Sequence, residues 1–440
     1  MRLWGMRKVL GRLLLLAALA AFSIPARVYA QDAVTLQDAY RMALENNEAI
    51  KIAGEGVSQA KTNLDKATSR ILPNLTAEGG YTKYSEAKTS GALAVQPDES
   101  SRADLKVTQP LYTGGREWAT RRQAKILIEK SREGLEGAKE NIIKATAGAY
   151  FGVLKAGKDV EIKRAALKRA VERKNVAQAR FKVGELTRSA VLRAEADEAG
   201  AEAELTRSES GLIDAKNRLK RVLGADREIS VIEPEPQSPM TEGVESLVLK
   251  ALASRSDYRQ SESDEKAASE GITFARGGFL PSLRIEGLYS HKDQSPKTTF
   301  FVENSTSATV VLTYPLFEGG LRKAELSEAR SKLRESELRR LGLKRDIEVD
   351  VRDSFNNVQS ARAVIDSYRK QASFAEENYK MVFEQFKFGL ATTVDVTDAD
   401  ATLISAQRSY ANSLYDLELA VLDLKYSTGT LFEETIGERK

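Results

Sequence analysis

One feature of this 440-residue sequence constrains its fold more than any other: most of it is written twice. Ile71-Leu72-Pro73-Asn74-Leu75 returns 208 positions on as Phe279-Leu280-Pro281-Ser282-Leu283. Gln109-Pro110-Leu111-Tyr112-Thr113-Gly114-Gly115 returns 205 on as Tyr314-Pro315-Leu316-Phe317-Glu318-Gly319-Gly320, and Arg180-Phe181-Lys182-Val183-Gly184 returns at the same offset as Gln385-Phe386-Lys387-Phe388-Gly389. Ala43-Leu44 against Ala251-Leu252 gives a fourth anchor in the same order, so the chain is a tandem duplication. The first repeat covers 31–230, a linker about 226–243, and the second repeat 244–440.

Proline divides each repeat. None of the ten prolines falls in 116–225 or 320–430, and proline inside a helix costs ~3 kcal/mol, so both stretches are free to be long helices. Leu333, Leu341, Ile347, Val351, Phe355, Val358, Ile365 and Tyr379 recur at helical spacing, predicting an amphipathic helix of about sixty residues. Gly389 breaks it and a return runs from about Val394 to Leu424; the first repeat breaks at Gly184 and returns to about Leu223. Each repeat therefore holds a long helical hairpin, about 116–225 and 320–430.

The proline-bearing parts alternate with period two, which predicts strands. Leu75, Ala77, Gly79 and Tyr81 alternate with Thr76, Glu78 and Gly80, and Ala103, Leu105 and Val107 with Arg102, Asp104 and Lys106. Leu283, Ile285, Tyr289, Ala308, Val310 and Leu312 repeat the rhythm. Strand hairpins are expected over about 74–112 and 282–317, with loops at about 90–100 and 294–305 and His291 as a solvated loop residue. Each repeat reads as helix, strand, loop, strand, helical hairpin, giving four strands per chain. Four strands of membrane length cannot close, and open edges in lipid are costly, so the strands are shared between chains: eight from two, twelve from three. The competing reading has these hairpins capping a helical bundle in water.

The formal net charge of +4 sits in the first thirty residues. Arg2, Arg7, Lys8, Arg12 and Arg27, no acidic residue, and an apolar run from Leu13 to Phe22 read as a signal peptide cleaved after Ala30. Without those five, 62 basic residues face 63 acidic ones, and nothing argues for a nucleic-acid partner. The absence of cysteine and the single histidine exclude a disulfide framework, a thiol nucleophile and the usual metal sites. No glycine-rich phosphate loop precedes a helix. Neither an enzyme nor a cofactor is expected.

The paired Leu-Pro and Pro-Leu-Tyr/Phe with Gly-Gly, and the paired Phe-Lys-x-Gly tips, resemble the TolC-like outer-membrane efflux proteins over about 33–430. The resemblance implies an α+β membrane protein: a homotrimer whose twelve-stranded transmembrane β-barrel in the outer membrane of a Gram-negative bacterium continues into a periplasmic α-helical barrel. The linker and C-terminus would form an equatorial belt. It implies a passive duct, docked to a periplasmic adaptor and an inner-membrane pump, for efflux or type I secretion. Gln31 and the lack of cysteine place it in the unlipidated branch. A periplasmic coiled-coil scaffold or adaptor without a pore is the alternative; it would explain the helices and the export signal, though not the strand hairpins.

By that resemblance the duct is constricted at the hairpin turns, 181–191 and 386–396, formed here around Phe181, Gly184, Phe386, Gly389, Leu390 and Ala391. Asp395 and Asp398 match two acidic rings that would attract cations at the pore gate. Asp395 also suits a helix cap after Thr392, and Gly184 and Gly389 suit plain helix C-termini. Where the family pattern has a latching tyrosine, arginine and aspartate, this chain has Phe386, Ala391 and Ala190. Polar latching should be weaker, or Glu185 and Arg188 should substitute. Trp118, Tyr81, Tyr84, Tyr112, Tyr289 and Tyr314 suit either aromatic girdles or a core.

Overall fold

The computed structural model describes residues 33–91, 93–235, 242–298 and 300–437, so the signal segment 1–30 and part of the linker lie outside the described residues. The first repeat contains β1 (Ala33–Val34), α1 (Leu36–Asn46), α2 (Glu48–Ser69), β2 (Asn74–Lys83), β3 (Lys88–Ser90), β4 (Leu93–Gln96), β5 (Glu99–Tyr112), α3 (Arg116–Lys182) and α4 (Arg188–Leu223). After β6 (Ser230–Val231) the second contains α5 (Val244–Ser254), α6 (Ser256–Gly277), β7 (Ser282–Ser295), β8 (Asn304–Thr313), α7 (Leu321–Lys387), α8 (Thr393–Ser427) and α9 (Leu431–Ile436).

Helices α3 and α7 have 67 residues each, about 100 Å at 1.5 Å per residue. Their hairpin partners α4 and α8 have only 36 and 35. The rest of each long helix is covered by α1–α2 or α5–α6, a segment that reads in sequence as one helix and is in fact two. The breaks fall at Asn47 and Arg255, whose backbones are extended with ψ of 131° and 127°. Asn47 accepts the Ala49 amide and donates to the Val222 carbonyl at the end of α4, both at 2.9 Å. Gly224, at φ +60°, sits so close that a β-carbon there would lie 2.9 Å from Asn46. The second repeat builds the same joint, with Gly429 at φ +68° and a β-carbon position 2.8 Å from the Arg255 backbone. Positive φ and close approach together require glycine at both.

At the level of these joints β1 and β6 pair in parallel. Tyr150 of α3 donates to the Val34 carbonyl at 2.9 Å and accepts the Ile232 amide at 3.1 Å, while α9 lays Leu431 against Tyr40, Ile143 and Phe151. Among the described residues no helix is long and apolar enough to cross a membrane.

The four main strands form one antiparallel sheet in the order β2-β5-β7-β8, with β5–β7 joining the repeats. Among the described residues its edges, β2 and β8, have no further strand beside them. Pro110, which has no N–H to give, marks an irregularity in the β5–β7 register. The loop expected at 90–100 is corrected: β3 and β4 form a small hairpin turning at Gly91, φ +63°, because Thr89, Leu93 and Val95 favour extended backbone. His291 is not a loop residue either. Strand β7 runs past it to pair with the start of β5, and its Nδ1 lies 2.9 Å from Asn304 Oδ1.

The register sorts the sheet into two unlike faces. Leu75, Ala77, Val107, Leu105, Tyr289, Ile285, Val310 and Leu312 lie on one. Glu78, Lys106, Asp104, Arg102 and Glu286 lie on the other, where Lys106 meets Glu286 at 3.5 Å and Ser290 donates to Asp104 at 2.6 Å. Among the described residues no helix covers the apolar face, and Trp118, Tyr81, Tyr84, Tyr112, Tyr289 and Tyr314 are all exposed, so none of these six belongs to a core formed by the described residues.

Candidate functional site

The two hairpin turns meet at the end of the shaft away from the sheet, and both close in the same way. The Gly184 amide donates to the Phe181 carbonyl at 3.0 Å and the Glu185 amide to Arg180 at 2.9 Å; Gly389 and Leu390 repeat this at 3.2 and 2.8 Å. With φ near +80° at both glycines, these are Schellman C-caps. The next helices begin at Thr187 and Thr392, whose hydroxyls accept the Ala190 and Asp395 amides at 3.3 Å. There the repeats part. Asp395 returns a bond from the Thr392 amide at 2.8 Å, completing a capping box that Ala190 cannot make. The bonds from the Thr392 amide, then its hydroxyl, hold the Asp395 carboxyl below its ordinary range. Asp398, one turn on, is also exposed, and its carboxylate has no partner among the described residues. The two aspartates thus differ: one caps the helix and the other's carboxylate faces solvent.

The paired phenylalanines also differ. Phe386 is fully buried in a cluster with Ala177, Ala194, Val396 and Leu403, with Ala391 packed against it. Phe181 is exposed, and Phe388 and Leu390 project into solvent with 78% and 80% of their surface free.

Glu185 and Arg188 are the residues expected to form a substitute latch. Arg188 is exposed, with no ion-pair partner among the described residues. Glu185 instead holds Arg180 at 3.0 Å, and Arg180 reaches across to donate to the Phe386 carbonyl at 2.7 Å. Farther up the shaft, Asp400 of α8 accepts Arg169 Nε and Arg173 Nη1 from α3, both at 2.6 Å. Asp400 is 3% and Arg173 5% exposed. Thr397 of α8 donates to Asp197 of α4 at 2.8 Å. These polar bridges join the two hairpins of one chain at positions other than the Glu185 and Arg188 in which a substitute latch is expected. One signal was available: Asp400 falls in the apolar row of Val396, Ala399 and Leu403, where a charge needs a partner. Among the described residues, no group of three or more His, Asp or Glu side chains is placed to hold a metal ion.

The model of the family described as outer membrane efflux protein matches residues 39–225 and 247–430. Outer membrane protein TolC of Vibrio cholerae is 26% identical over 437 residues, covering 96% of each chain. Outer membrane efflux protein BepC of Brucella suis is 23% identical over 411 residues, 92% of this chain and 87% of its own. Among solved structures, the CmeC outer membrane channel of Campylobacter jejuni superposes with a TM-score of 0.79 at 17% identity, covering 90% of this chain and 86% of its own. The open state of the MtrE outer membrane channel of Neisseria gonorrhoeae gives 0.72 at 20% identity, with 90% and 89% covered. The likeness takes in both sheet and shaft, so the α+β fold is that of these channels. With one family match on each repeat, this chain belongs to the outer membrane efflux protein family and is an outer-membrane channel rather than a coiled-coil scaffold.

Proposed function

We propose that three copies of this chain close their sheets into one twelve-stranded barrel and their helices into a tunnel beneath it, forming the exit duct of a tripartite efflux or type I secretion system. The two-faced sheet is the observation that carries this reading. Its apolar face suits lipid, its charged face suits a watery lumen, and its free edges at β2 and β8 call for strands from other copies. Three is the number the family resemblance implies. The duct is passive and catalyses nothing; a periplasmic adaptor meets the tips and an inner-membrane pump drives transport. Relatives span both kinds of cargo, since one is named for efflux and another, AprF of Pseudomonas aeruginosa, for alkaline protease secretion. At the mouth, Asp398 is the carboxylate free to select cations, three to a ring, with Asp395 beside it holding the helix start.

Fractionation followed by SDS electrophoresis with and without boiling tests this. The expected result is an outer-membrane protein that migrates as a trimer unboiled and as a monomer boiled, and that conducts weakly in planar bilayers. Recovery as a soluble periplasmic monomer would overturn it.

A further inference from the structure

We infer that Arg169, Arg173 and Asp400 clamp the two helical hairpins of one chain into a single wedge, so that the tip aperture widens at boundaries between chains and not within a chain. The inference rests on the three-chain reading above. Within one chain, α3 of the first repeat packs on α8 of the second. Advanced by one repeat, the same contact places α7 of one chain on α4 of the next. The two boundaries are built on one backbone plan but carry different side chains.

Moved by the 205-residue offset, Arg169 becomes Phe374, Arg173 becomes Asn378, and the place of Asp400 is taken by Glu195. Glu195 already accepts a bond from Gln178 of its own hairpin at 3.2 Å, and Phe374 is 67% exposed in the single chain. Arg180, which reaches the Phe386 carbonyl, becomes the neutral Gln385. The Thr397–Asp197 bond becomes Thr402 opposite Leu192, whose side chain offers no acceptor; both threonine hydroxyls also lie 2.9 Å from a carbonyl of their own helix. One boundary thus holds two short charge-assisted bonds shielded from water and a further hydroxyl–carboxylate bond. The other has an aromatic side chain and no ion pair at the matching positions. Parting the first strands buried charges, whereas parting the second breaks no ion pair at the matching positions, so the seam between chains yields first.

The chain has no cysteine, so introduced pairs report cleanly. Asp197→Cys with Thr397→Cys, bridged by a short bifunctional methanethiosulfonate, ties the hairpins within a chain; Leu192→Cys with Thr402→Cys ties neighbouring chains. Phe374→Asp sets a second acid opposite the neighbour's Glu195, and should raise the single-channel conductance of the purified full-length protein in planar bilayers severalfold, with Phe374→Ala a milder second variant. The bridge within chains should leave that rise intact, and the bridge between chains should abolish it. In the protein tied between chains, Asp400→Asn should raise conductance again, because the wedge itself can then part. The inference is overturned if the bridge within chains abolishes the rise, if both Phe374 variants conduct as wild type, or if Asp400→Asn has no effect in the tied protein. Absence of crosslinked oligomers from the Leu192–Thr402 pair on a non-reducing gel would instead overturn the three-chain reading, and the inference with it.

Discussion

Asp400→Asn tests whether the group between α3 and α8 is as dry as its geometry indicates. The substitution keeps the side-chain volume and removes the anion, leaving Arg169 Nε and Arg173 Nη1 facing a neutral amide. Among the described residues Arg169 Nη2 already lacks a hydrogen-bond partner. Removing one member of a buried ion pair costs about 3–5 kcal/mol. Here the lower end applies, about 3 kcal/mol, since the asparagine carbonyl still accepts one bond and the Arg169 side chain, 15% exposed, can reach water. At ~1.4 kcal/mol per factor of ten, local separation of the hairpins becomes about 100-fold more populated. Native-state hydrogen exchange on the purified protein reads this directly: amides in 169–177 and 396–403 should exchange about 100-fold faster, while those of the sheet stay unchanged. Replacing all three residues by apolar side chains of similar size should recover most of the loss, because the burial of charge is then removed with its partner. Exchange in Asp400→Asn within about threefold of wild type would show the arginines to be solvated and the reasoning wrong.

Other outcomes follow from the joint and the tip. Gly429→Ala adds a β-carbon 2.8 Å from the Arg255 backbone at φ +68°, whereas Gly115→Ala meets a similar φ of +80° with nothing within 4 Å; both bear left-handed strain of ~1–2 kcal/mol, but only Gly429→Ala must also displace backbone, so its unfolding temperature should fall much further. The Asp395 cap, whose folded-state pKa is depressed, contributes above the ordinary value of 3.8 and is lost as pH falls through the lowered value. Rate-corrected exchange of the amides at 393–396 should therefore be flat over about pH 5–8 and rise only on strong acidification; a rise near pH 6 would refute the assignment. In planar bilayers under a salt gradient, Asp398→Asn should reduce cation selectivity more than Asp395→Asn, and the reverse order would show the capping aspartate to be the one that meets ions.

Much of the architecture was legible because its causes are local. Long proline-free runs with apolar residues at helical spacing locate α3, α4, α7 and α8, and period-two alternation locates the four main strands. The breaks at Asn47 and Arg255 were not legible, since neither site carries a proline or a glycine. They arise where the end of a returning helix, at Gly224 or Gly429, is seated against them. At the tip, the glycines and the two aspartates could be found from motif and resemblance. The Arg169–Arg173–Asp400 group escaped because arginines on a charged amphipathic helix look alike whether they face water or another helix. Only the acid in an apolar row marked the place.

The differences between the repeats carry a lesson of their own. Gly184 and Gly389 agree, as do Gly224 and Gly429 and the capping residues Thr187 and Thr392, and each meets a demand of the backbone that is the same in both copies. Phe386 is buried where Phe181 is exposed, Arg169 is answered by Phe374, and Asp395 by Ala190. In the proposed assembly the neighbours are not equivalent: α3 packs on α8 of its own chain, while the matching face of α7 is left for α4 of another copy. A duplicated chain that assembles with copies of itself therefore keeps its repeats alike where the requirement is conformational and lets them diverge where it is a matter of partners. If the chain assembles as proposed, the mismatches along the 205-residue offset, not the matches, locate the seams, and the exposed Phe374 marks the one that a single chain leaves open.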